Sequence, residues 1–194
     1  MDRREALKSV AVLFGSAISS STLDMLFNSA MLPEHEKNAV SFSADQEKIL
    51  AELANIIIPD SPTVPGAKAA GLGTFIPMMI RDCYSVKSQE AFAKGLKDLE
   101  ARSIKDFNKD ILSLSLQERE KLVANLRLDT IERQKEDKKV KKNGPYFFVL
   151  LRDLTILGYF ASEIGCTQAR EYLPVPGKYD GSYPLTPEQR SWAS

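Results

Sequence analysis

The chain is 194 residues long and carries 26 basic and 26 acidic side chains with a single histidine. Balanced charge leaves no long-range field to steer it toward nucleic acid or an anionic membrane, and two cysteines are too few for a disulfide scaffold. With about forty N-terminal residues set aside, a body of about 150 residues remains, enough to bury a core as one domain without a stapling metal.

The chain opens Asp2-Arg3-Arg4-Glu5-Ala6-Leu7-Lys8, and Asp24 is the only charge between Ser9 and Leu26. Adjacent arginines ahead of a moderately apolar stretch form the pattern of a twin-arginine export signal, with Arg3, Arg4, Leu7 and Lys8 in the places such signals use. Ala6 stands where a bulkier apolar residue is usual. The apolar run Val10–Ile18 is diluted by Ser and Gly and falls well short of the roughly 20 residues a spanning helix needs. The other reading is an amphipathic N-terminal helix with two solvated arginines. Small residues precede several bonds without a clean Ala-x-Ala site, so retention of the segment stays open. Residues 28–41 are polar and aperiodic, a tether that gives the division 1–41 for signal and tether and 42–194 for a helical domain.

In the body, Ser43 and Gln46 form a capping-box pattern, and Ile49, Leu50, Leu53, Ile56 and Ile57 recur at helical spacing, predicting a helix over 43–58. Pro59 to Gly73 is a Pro/Gly connector, ordered because proline fixes the backbone and glycine permits tight reversal. A helix resumes near Thr74 with Phe75, Ile76, Met79, Ile80 and Cys83 on its apolar face, which would put Pro77 in the first turn. Residues 88–107 form the next helix, with Phe92, Leu96, Leu99 and Ile104 inward. Ser115 and Glu118 cap another through Lys135, carrying Leu116, Leu122, Val123, Leu126 and Ile131. Lys135, Lys138, Lys139, Lys141 and Lys142 read as a polar helix end running into a solvated loop, without the interleaved aromatics of a nucleic-acid patch.

The most apolar segment follows. Tyr146 to Phe160 forms a helix hydrophobic on most of its surface, interrupted only by Arg152 and Asp153. Such a helix is either central to its own core or also covered by another protein, and both readings leave some of Phe147, Phe148, Tyr159 and Phe160 near the surface. Tyr172 to Leu185 then holds three prolines, two glycines and three tyrosines. That composition suits an extended arm laid over another surface, or one lying back on its own domain. No segment alternates as a strand, so the expected fold is all-α, a compact bundle of about five helices with an extended Pro/Gly/Tyr-rich C-terminal arm.

Candidate chemistry is sparse. The only histidine, His35, lies in the tether, away from any expected core. Cys83 and Cys166 either pair or sit as small buried hydrophobes, and no CxxC exists. Gly66 to Gly73 lacks a preceding strand and the dinucleotide spacing, and there is no phosphate-binding P-loop. The acidic residues fall on ordinary helix faces. These features leave no catalytic, cofactor-binding or metal residues to nominate in this chain, and a protein exported folded without chemistry of its own makes sense as the carrier of something else.

Two blocks carry a resemblance. Gly158-Tyr159-Phe160-Ala161-Ser162-Glu163-Ile164-Gly165-Cys166-Thr167-Gln168, followed by Tyr172 to Gly181, resembles the C-terminal signature of the gluconate 2-dehydrogenase subunit 3 family. Leu53 to Asp60 and Pro65 to Gly71 resemble its N-terminal block, and the similarity spans about residues 42 to 185. The resemblance implies a helical, non-catalytic small subunit of a periplasmic dehydrogenase acting on sugars or sugar acids. It implies a large partner of the glucose-methanol-choline (GMC) oxidoreductase type that holds FAD and abstracts hydride, and often a cytochrome c subunit carrying haem. The small subunit would bear the signal for the twin-arginine translocase and escort the large one to the periplasm, associated with the membrane if the signal is retained. A free-standing periplasmic helical ligand-binding module is the alternative.

Cys166 replaces a commoner small residue, Ser182 stands where cysteine is frequent, and the Lys135 to Lys142 run looks like an insertion. Carried onto this chain, the resemblance implies that Tyr159, Phe160 and Glu163 pack and hydrogen-bond around the end of the last helix. It implies that Tyr172, Pro174, Pro176, Gly177, Tyr179, Asp180 and Gly181 fix the arm against the large subunit. Phe147 and Phe148 join the expected partner-facing set from the apolar character of their helix.

Overall fold

The computed structural model describes residues 40–139 and 145–175, together with 177, 181, 182, 184, 186, 187 and 189–193. Arg3, Arg4, Leu7 and Lys8 of the expected signal, and Pro176, Tyr179 and Asp180 of the expected arm, lie outside the described residues. The architecture is all-α: α1 (Ala44–Ile57), α2 (Leu72–Cys83), α3 (Val86–Phe107), a 3₁₀ turn (Ile111–Ser113), α4 (Leu116–Lys139) and α5 (Phe147–Ala161). A π turn, Gly165–Ala169, follows α5.

Local chemistry explains most helix starts. Ser43 and Gln46 complete the capping box of α1 reciprocally, the Gln46 amide donating to Ser43 Oγ at 3.2 Å and the Ser43 amide to Gln46 Oε1 at 3.1 Å. Ser115 and Glu118 do the same ahead of α4, at 3.3 and 2.7 Å. The two bonds to Ser115, with Lys109 beside them, hold the Glu118 carboxyl down to about 2. Helix α2 departs from expectation. Gly71, at φ +76°, turns the chain into the helix at Leu72, ahead of Thr74, so Pro77 lies in the interior of α2 rather than in its first turn. There it cannot donate to the carbonyl of Gly73.

The core is built around α5, which packs against α1, α2, α3 and α4. Its inward residues are Phe147, Phe148, Leu151, Leu154, Thr155, Gly158 and Tyr159. Phe92 of α3 is fully buried between Phe42, at a centroid distance of 5.9 Å, and Phe147, at 4.9 Å. Leu50, Leu53, Ile76, Ile80, Leu96 and Leu122 close the interior.

Three expected core positions face outward. Ile104 is 53% exposed because the buried stripe of α3 continues from Phe92, Leu96 and Leu99 to Ser103, one position earlier. The Ser103 hydroxyl donates to the Lys109 carbonyl at 2.7 Å, which satisfies a polar group in that apolar setting. Leu116 is 63% exposed at the first position of α4, before that helix reaches the core. Cys83, expected on the apolar face of α2, is also exposed, and Cys83 and Cys166 are free thiols.

After the π turn, Glu171–Tyr172 (β1) pairs in parallel with Trp192–Ala193 (β2), in the register Glu171 to Trp192 and Tyr172 to Ala193. The Glu171 amide donates to Ser191 at 2.9 Å and the Leu173 amide to Ala193 at 2.8 Å. This short pairing had no sequence signal, since two residues are too few to show alternation. It ties the base of the Pro-rich segment to the chain terminus. Among the described residues no helix is long and apolar enough to cross a membrane.

Phe92 and Ile104 lie on the same helix with opposite burial, which gives a direct check of the core. Phe92→Ala should cost about 3–5 kcal/mol and Ile104→Ala within about 0.5 kcal/mol, as measured by urea unfolding.

Candidate partner interface

The connector after α1 is held by a compact set of hydrogen bonds. Asn55, in the last turn of α1, donates through its amide to Asp60 Oδ2 at 3.0 Å and accepts from the Lys68 backbone at 3.1 Å. Asp60 Oδ1 accepts from the Gly66 amide at 2.7 Å, and the Ala67 amide donates to the Ile58 carbonyl at 2.9 Å. A Cβ at Gly66 would lie 2.5 Å from Asn55 Oδ1 and 2.7 Å from the Ile58 carbonyl oxygen, so only glycine closes this loop. The Asn55 amide, and then the Gly66 amide, hold the Asp60 carboxyl below its ordinary range.

A charged cluster braces the same region. Glu52 meets Lys68 of the connector and Arg119 of α4, and Arg119 Nε donates to the Leu114 carbonyl at 3.0 Å. Partial burial pushes the Glu52 carboxyl up, but the bonds and charges of Lys68 and Arg119 together hold it below its usual range.

The last helix is fastened to this connector. The Tyr159 hydroxyl donates to the Pro65 carbonyl at 2.8 Å across 94 residues of sequence. Burial, and then the negative charge of Asp60, raise the Tyr159 phenol above its ordinary value, so it stays a donor. One residue back, Gly158 lets α5 approach α2: a Cβ there would lie 2.5 Å from Leu72 and Phe75 side-chain atoms. The two widely separated sequence blocks therefore meet in space.

With that inner face fixed, the opposite face of α5 stays open. Ile156, Leu157 and Phe160 are exposed, beyond the solvated Arg152–Asp153 pair. At the helix end the Phe160 ring stands edge-on to Tyr159 at 5.3 Å, and the Arg170 guanidinium carbon lies 5.0 Å from its centroid. Arg170 also donates to the Phe160 carbonyl, and Cys166 Sγ lies 3.2 Å from the same oxygen. Tyr172, Leu173 and Val175 continue the exposed apolar surface along the chain, Val175 at 79%.

The expected interface residues thus fall into separate environments. Phe147, Phe148 and Tyr159 are buried in the chain's own core. Phe160, Tyr172 and Pro174 are exposed, as are Gly177 and Gly181. Glu163 is exposed as well, and its carbonyl accepts from the Thr167 hydroxyl at 2.7 Å. Sequence reasoning did not single out Ile156, Leu157 or Arg170. The even apolar character of α5 hid which of its faces was outward. Among the described residues no group of three or more His, Cys, Asp or Glu side chains is placed to hold a metal ion.

Residues 44–177 match the family model of gluconate 2-dehydrogenase subunit 3, and the chain belongs to that family. The family's name makes it a subunit of a larger dehydrogenase assembly. Comparison with curated proteins and with solved structures gave no match.

Two outcomes test this geometry. Tyr159→Phe should lower stability by about 1 kcal/mol in urea melts by deleting the donor to Pro65. Asp60 has a folded pKa below its ordinary 3.8, so its contribution is complete above that value and is lost as pH falls through the folded pKa. Asp60→Asn should therefore destabilise the chain at neutral pH and converge with the parent in acid. A gap in melting temperature that does not shrink as the pH falls below 3.8 would contradict this.

Proposed function

We propose that this chain is the small, non-catalytic subunit that stabilises a FAD-dependent, GMC-type sugar or sugar-acid dehydrogenase and carries it through the twin-arginine pathway to the periplasm. Flavin chemistry belongs to the large subunit in this reading, and a cytochrome c subunit would take the electrons onward. Arg3, Arg4, Leu7 and Lys8 supply the export signal. The large subunit would dock on the outer face of α5, on Phe160 and Glu163 at its end, and on the Pro/Gly/Tyr segment that includes Tyr172, Pro174, Pro176, Gly177, Tyr179, Asp180 and Gly181.

The observation that carries the proposal is the split character of α5. One face is spent on the core, yet Ile156, Leu157 and Phe160 remain exposed at the end where the second block of sequence resemblance begins. Contiguous apolar surface at a defined end of a folded body is the usual mark of a protein interface. Phe147, Phe148 and Tyr159 serve it indirectly, by fixing how α5 sits.

The test is recovery of the tagged full-length chain from the periplasm. It should arrive with a flavin-absorbing large subunit. The double substitution Ile156→Glu and Leu157→Glu, on positions already exposed, should cut the co-recovered flavin by at least about tenfold while the chain itself still folds. Arg3→Lys with Arg4→Lys should hold both proteins in the cytoplasmic fraction. Recovery of a monomeric chain without flavin, or undiminished flavin with the double variant, would overturn the reading.

A further inference from the structure

A groove of about 470 Å³ opens between α3 and α4, with the first turn of α5 as its end wall. It lies away from the exposed face of α5, and nothing argued about a large subunit uses it. Its volume falls within the range of small-molecule sites. Ala91, Gly95 and Leu99 of α3, Leu126 of α4 and Phe147 of α5 give it an apolar floor. Gly95 sets how deeply α5 seats there, since a Cβ at that position would lie 2.3 Å from Phe147 Cβ.

The rim is charged, with unequal use of its cations. Arg102 of α3 spans the groove to Asp129 of α4 and also bonds Asp106 at 3.3 Å, so its charge is matched. Lys94 and Arg133, one on each side, make no hydrogen bond or ion pair with a described residue, and the same holds for Asp98. Arg102 is thus shared by two carboxylates, Asp129 and Asp106, so the rim carries no net charge, but Lys94 and Arg133 are two cations that no ion pair among the described residues occupies. The floor disfavours a bare inorganic anion or a polyol, and the two cations without an ion pair favour an anionic head group on an apolar body.

We propose that this groove binds a small amphiphilic monocarboxylate, its apolar body on the floor between α3 and Phe147 and its carboxylate between Lys94 and Arg133. The inference stands independently of the partner reading. Arginine and lysine placed on opposite walls recognise a carboxylate by charge-assisted hydrogen bonds.

Calorimetric titration of the full-length chain with 4-phenylbutyrate tests it, with 4-phenylbutanol as the uncharged control. The acid should bind saturably at one site and the alcohol at least about tenfold more weakly. Lys94→Glu with Arg133→Glu, both on exposed side chains, should weaken the acid by at least about tenfold. Ala91→Trp, which fills the floor, should do the same, and Lys48→Glu on distant α1 should change nothing. Absence of saturable binding to the parent chain would overturn the proposal. So would equal affinity for acid and alcohol, or binding that survives either the charge reversal or the filled floor in a variant with parent-like circular dichroism.

Discussion

The bond from the Tyr159 hydroxyl to the Pro65 carbonyl is the constraint on which the rest of the molecule depends. It joins the end of the last helix to a connector that precedes it by most of the domain, and it works only because both sides are already rigid. On the connector side, Asn55, Asp60 and Gly66 close a loop with no room for a side chain at Gly66. On the helix side, Gly158 removes the side chain that would hold α5 away from Leu72 and Phe75. The bond itself is worth only about 1 kcal/mol, but it selects one seating of α5 among several that an apolar helix would accept. An apolar surface without direction packs in many ways; a directed, partly buried hydrogen bond does not.

That selection matters because α5 is apolar on nearly every side. With Tyr159 and Phe147 turned inward, Ile156, Leu157 and Phe160 are turned outward as a group. The residues of the two sequence blocks divide accordingly between holding the helix and leaving its other face exposed. Asp60, Gly66, Gly158 and Tyr159 hold it, and Phe160 with the segment after Glu171 presents it. In the proposed complex this division separates stability from recognition. A change in the holding set would weaken the subunit itself, and a change in the presenting set would weaken only its attachment.

Much of this was legible in the sequence, for identifiable reasons. The capping boxes at Ser43 and Ser115 gave helix starts because the reciprocal bond needs those residue types at that spacing. The core of α3 was legible through Leu99 and then drifted, since Ser103 rather than Ile104 fills the next inward position and hydrophobicity alone cannot announce a buried serine. The start of α2 was misplaced because a left-handed Gly71 can begin a helix that Pro77 would otherwise be expected to open. The outward face of α5 was marked only by Arg152 and Asp153, one turn before Ile156 and Leu157, and a single charged pair in an otherwise apolar helix is too little periodicity to assign a face. Its orientation is set by Tyr159 and Gly158 against partners nearly a hundred residues upstream.

Hydrogen exchange on the full-length chain, alone and in the assembly recovered from the periplasm, tests the central claim most directly. The connector from Asn55 to Gly71 should be protected equally in both states, because its bonds are internal. The stretch from Ile156 to Val175 should gain protection only in the assembly. New protection centred on the connector, or none at Ile156 to Val175, would mean that the proposed division between holding and presenting is wrong.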